Sequence, residues 1–122
     1  MKLYQKIASL LKSIESCRNT GNKEWEANHA ATLEDLMEEM PSGSGVDSGT
    51  KLLDNSTPDR LVFQADFHHM DENGFYDGWT EHQIIVTPSL AYGFNVRITG
   101  RNRNEIKNYL ADLFNPILNM EV

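Results

Sequence analysis

The chain has 122 residues, 39% of them hydrophobic and 24% charged, with one cysteine and a formal net charge of −7. That length fits a single domain able to bury a core without staples. The acidic balance disfavours indiscriminate nucleic-acid binding, which draws most of its affinity from phosphate neutralisation, and the lone Cys17 excludes an internal disulfide and a cysteine zinc site.

A single free thiol is the pattern of a reducing compartment, so a cytoplasmic location is expected. The opening MKLYQKIASLLKSIE is amphipathic, interrupted by Lys2, Lys6, Lys12 and Glu15, and lacks the apolar run of a signal peptide. No stretch approaches the length of a membrane span. The charge is uneven. Residues 41–90 carry two bases against eight acids, whereas residues 91–122 carry four bases against three acids.

Leu3, Tyr4, Ile7, Leu10, Leu11 and Ile14 recur at spacings of three and four, which predicts a helix with one apolar face. Gly21 ends it, with Arg18 near the negative end of the helix dipole. Asn22 is placed to cap a second helix striped by Trp25, His29, Leu33, Leu36, Met37 and Met40. The short link predicts an antiparallel helical hairpin over residues 1–40, packed through Ile7, Leu11, Ile14, Leu33 and Leu36. Residues 41–58, opening on PSGSGVDSGT, read as a Gly/Ser-rich loop, with Ser42–Thr50 expected to be mobile.

The period then changes to two. Leu61, Phe63, Ala65 and Phe67 alternate with polar residues in a first strand. A turn falls within Asp71–Gly78, a second strand covers about Trp79–Thr87, and Pro88 ends it. A third strand covers about Tyr92–Thr99, with Phe94, Val96 and Ile98 inward. Asn102 and Glu105 resemble a capping box for a last helix striped by Ile106, Tyr109, Leu110, Leu113, Phe114 and Ile117, which Pro116 kinks or ends. The expected fold is a two-layer α+β domain of order ααβββα, with the helices covering one face of a three-stranded antiparallel sheet.

Phe67 to His82 holds three of the four histidines, His68, His69 and His82, with Asp71, Glu72, Asp77 and Glu81. Imidazoles and a carboxylate converging on one point hold zinc. Successive strand residues face opposite ways, so at most one of His68 and His69 meets His82 across a hairpin. Asp66 or Glu81 would be the third ligand. The spacing matches no metal motif, and the expectation is solvated sheet residues with no metal or cofactor. Asp71 and Asn73 fit the first and third positions of a calcium loop, but Phe75 and Tyr76 fill the fifth and sixth, and Asn73–Gly74 marks a tight turn instead. Lys51 follows the glycine loop without phosphate-loop spacing, and no nucleophile elbow is present. Arg97, Arg101, Arg103 and Lys107 form the only basic cluster, at the start of a helix, where an anion is welcome.

Residues 60–115, with GRNRNEIKNYLA opening the helix, resemble the double-stranded-RNA-binding domain. Arg101, Arg103 and Lys107 fall roughly where that family grips phosphates, while Asp71, Glu72 and Asp77 depart from it. The segments PSGSGVDSGTKL, FHHMDENGFYDGWTEH and ITGRNRNEIKNYL resemble a small-protein family of phages, plasmids and other mobile elements. That resemblance implies a host-interaction or anti-defence role, such as inhibition of a CRISPR nuclease.

The function expected from these readings is that of a small acidic, non-enzymatic interaction protein. Its partner is a host protein, or protein–nucleic acid complex, with a basic surface. Glu34, Asp35, Glu38 and Glu39 of the second helix and Asp66, Asp71, Glu72, Asp77 and Glu81 of the hairpin would make the contact. The alternative is a nucleic-acid-binding module using Arg97, Arg101, Arg103 and Lys107. A metal-dependent enzyme built on His68 or His69 with His82 comes third.

Overall fold

The computed structural model describes residues 1–40, 46–89, 93–100 and 104–122. The elements run α1 (Leu3–Thr20), α2 (Lys23–Met37), β1 (Val46–Leu52), β2 (Leu61–Met70), β3 (Tyr76–Ser89), β4 (Gly93–Ile98) and α3 (Asn104–Leu118). The strands form one antiparallel sheet in the order β1-β2-β3-β4. The class is α+β as expected, but the sheet has four strands and not three.

The added strand, β1, lies in the segment read as a loop. Its Ser48-Gly49 stretch has poor strand propensity and hides any alternation. Pairing with β2 overrides propensity here, and an irregularity in register between Asp47 and Lys51 takes up that stretch. The expectation of a loop over residues 41–58 is therefore corrected for Val46–Leu52, and residues 41–45 lie outside the described residues. β3 also outruns its expected end. Pro88 sits within it opposite Phe94, beyond the last β2 partner at Val86, where a strand with one neighbour tolerates a missing N–H.

One sheet face carries Leu61, Phe63, Ala65, Ile84 and Val86, all buried. Leu3, Tyr4 and Ile7 from α1 and Leu110, Phe114 and Leu118 from α3 complete the same core. Phe63 meets Phe114 with ring centroids 6.5 Å apart. Val96 and Ile98 of β4 pack against this core half-buried. The helix punctuation is as expected. Gly21 takes φ 73 at the end of α1, and Asn22 Oδ1 accepts the Trp25 N–H at 3.2 Å.

α2 departs from its expected stripe. None of its residues is buried, Leu33, Leu36 and Met37 are half-buried, and Trp25 is 55% exposed. Trp25 stacks on His29, with ring centroids 5.9 Å apart. An Arg18–Glu26 ion pair of 2.6 Å ties α2 to α1. Being exposed, it contributes at most about 1 kcal/mol.

Replacing Phe114 by Ala is expected to cost about 3–5 kcal/mol in chemical denaturation. Leu33→Ala should cost less than about 2 kcal/mol, the lower bound for a fully buried leucine. The reverse order would place the core between α1 and α2.

Candidate functional site

Register decides which side chains meet. Ala65 lies opposite His82, Asp66 opposite Glu81, Phe67 opposite Thr80 and His68 opposite Trp79. Ala65 and Phe67 belong to the core side. His82 and Thr80 therefore lie on the helix-covered face, and Asp66, Glu81, His68 and Trp79 on the other. His69 reaches the covered face and bonds Thr80. The sheet thus separates His68 from His69 and His82. Among the described residues no group of three or more His, Cys, Asp or Glu is placed to hold a metal.

The two inward histidines are joined through a hydroxyl. His82 is fully buried, and its Nδ1 lies 3.0 Å from the Thr99 carbonyl oxygen. A carbonyl only accepts, so Nδ1 carries the proton and Nε2 of the neutral ring presents a lone pair. The Thr80 hydroxyl donates to that Nε2 at 2.7 Å. His69 Nε2–H then donates to Thr80 Oγ1 at 2.8 Å. One backbone carbonyl fixes the direction of the whole relay. Burial holds His82 below its ordinary pKa of 6.5. The Thr99 carbonyl opposes this, His69 and Lys107 push the same way as burial, and Asp66 pushes against it.

Gly100 closes around this ring. It adopts φ +114, and a Cβ there would fall 2.7 Å from His82 Nδ1 and 2.9 Å from the Glu81 carbonyl oxygen. Neither neighbour can retreat, because the ring is buried and the oxygen belongs to β3.

The far end of the hairpin is a different surface. Asp71–Phe75 links β2 to β3, with Gly74 at φ 81. The Asp71 carboxylate accepts the N–H groups of Asn73 and Phe75, each at 2.9 Å, so it builds the turn as well as charging it. Around it Met70, Phe75, Tyr76 and Trp79 are 66%, 70%, 58% and 53% exposed. Tyr76 stands edge-on to His68 at 5.2 Å. Glu72, Asp77 and Glu81 are exposed among them. Charge singles out these carboxylates in the sequence and passes over the aromatics. Their signal was their position, in a turn-rich stretch too far along the hairpin for helices to cover.

Glu34 and Asp35 are exposed on α2, which packs on α1 and β1, and Glu38 and Glu39 are exposed just past its end. They belong to the helical layer, while Asp66 and Glu81 project from the opposite sheet face. Asp66 Oδ1 is buried there with no hydrogen-bond partner among the described residues. The basic candidates divide in the same way. Arg97 is exposed opposite the buried Ile85, on the sheet face away from α1 and α3, and Lys107 sits half-buried on α3 close enough to His82 to affect it. Arg101 and Arg103, and the Asn102 of the expected capping box, lie outside the described residues.

No helix among the described residues is long and apolar enough to cross a membrane. Compared with protein-family models, curated proteins and solved structures, the chain matches none.

Gly100→Ala should destabilise the fold by at least about 1–3 kcal/mol, read from the denaturation midpoint. A neutral cost would mean that Gly100 does not approach His82 this closely. The His82 shift also fixes the sign of an acid effect. The unfolded chain takes up this proton first as pH falls, so the stability gained from a neutral His82 is full above pH 6.5. It is lost as pH drops through 6.5 towards the lower folded value. His82→Gln should flatten the stability profile in that window, and an unchanged slope would assign the acid effect to another group.

Proposed function

We propose that the chain is a non-enzymatic interaction module that docks the end of its β2–β3 hairpin on a basic surface of a partner protein. The observation that carries this reading is the cluster of exposed Met70, Phe75, Tyr76 and Trp79 among Glu72, Asp77 and Glu81. Aromatic side chains and methionine are enriched at interface centres, where they bring contact area at low entropic cost. Arginine and lysine of a partner gain twice from this surface, by charge and by stacking on aromatic faces. Carboxylates at the rim steer a basic partner in and set the on-rate more than the affinity. Of the basic candidates among the described residues, Arg97 lies on the sheet face away from the helices and Lys107 on α3. The narrower form of the proposal, carried by the mobile-element resemblance, makes the partner a host defence complex whose basic groove ordinarily holds nucleic acid.

Asp71 must be spared in a test, because it holds the turn. Glu72→Lys with Asp77→Lys should slow association with the captured partner about tenfold at low salt, with the difference shrinking as salt approaches about 1 M. Trp79→Ala should act on the dissociation rate instead. Association of the double variant at the wild-type rate in low salt would overturn the reading.

A further inference from the structure

A second surface lies away from the hairpin end, where α2 fails to close down on the sheet. An open cleft of about 930 Å³ runs between the two helices on one side and Thr50–Pro58 on the other. Its floor is apolar, built by Leu11, Ile14, Leu33, Met37, Leu52 and Leu53. That volume is at the upper end of the range of ligand pockets. The half-burial of Leu33 and Met37 is the other side of the same fact, since these α2 residues spend their apolar area on the cleft.

The rim is charged and unbalanced. Arg18 and Glu26 neutralise each other at 2.6 Å. Glu15, Glu34 and Asp54 are then set against Lys51 alone. We propose that this cleft takes an amphipathic helix of a partner protein, its apolar stripe on the floor and its Lys or Arg flanks on the Glu15, Glu34 and Asp54 rim. A helical occupant presents anchors at i, i+3, i+4 and i+7, which is how helices fill apolar grooves. The net charge of −7 opposes a second copy of this chain as the occupant. The cleft stands independently of the hairpin proposal and gives Glu34 a role that its place on α2 denies it at the hairpin.

The test uses a fluorescently labelled Leu/Lys peptide of about five helical turns, with its Leu/Glu counterpart as the charge control. Fluorescence polarisation on the full chain should show binding of the first and not of the second. Glu15→Lys with Glu34→Lys changes exposed side chains only, leaves the circular dichroism unaltered, and should weaken binding about tenfold. Leu33→Gln with Met37→Gln should weaken it at least as much, while Glu72→Lys with Asp77→Lys should leave it unchanged. The proposal is overturned if the wild-type chain does not bind the Leu/Lys peptide, or if neither cleft variant weakens it. It is also overturned if only the hairpin variant loses binding, a result that would leave the hairpin reading standing. A concentration-dependent dimer in sedimentation velocity, broken by Leu33→Gln with Met37→Gln, would give the cleft to a second copy and overturn it as well.

Discussion

One face of the sheet has to be kept from water, and two helices do most of that work. Leu3 and Ile7 of α1 and Leu110, Phe114 and Leu118 of α3 are fully buried against Leu61, Phe63, Ile84 and Val86. Each such side chain contributes roughly 1.5–3 kcal/mol of burial. Because α1 and α3 suffice, α2 is left on the outside with no fully buried residue. Because their cover stops near Phe67, where Tyr109 makes the last ring contact at 5.6 Å, the rest of the hairpin stands clear. Both candidate contact surfaces arise from where this cover ends.

At the edge of that cover the core turns polar. A fully buried imidazole without partners would cost several kcal/mol of lost hydration. His82 avoids this by using both ring nitrogens, one on the Thr99 carbonyl and one on Thr80. The relay ties β2, β3 and the residue after β4 into one network, and Gly100 lets the backbone approach the ring closely enough to hold it.

Much of this was legible in the sequence. The period of α1 and α3, the caps at Gly21 and Asn22, and the inward face of β2 follow from spacing alone. β1 did not, since its only apolar residues, Val46 and Leu52, are separated by a Gly/Ser-containing stretch, and its pairing is a property of β2. Trp25 continued the stripe of α2 on paper, but a stripe says only which residues share a face and not whether anything lies opposite. Spacing allowed one of His68 and His69 to meet His82. Choosing His69, with Thr80 as the bridge, needed the five-residue turn and the register shift between His68 and Met70. The acidic character of the hairpin was plain from composition, while the separation of the α2 carboxylates from Asp66 and Glu81 depended on which layer each element joined.

The unequal lengths of the strands have a mechanical side. β1 follows β2 only to Phe67, and β4 pairs with β3 only from Ile84 onward. Past those points the described hairpin is a two-stranded ribbon, and ribbons of two strands twist more than wide sheets because no third strand resists them. Trp79 and Tyr76 ride on that ribbon on one face, and Thr80 rides on it on the other. The aromatic end and the His69–Thr80–His82 relay therefore lie on opposite faces of the same two strands, at the place where the sheet narrows from three strands to two.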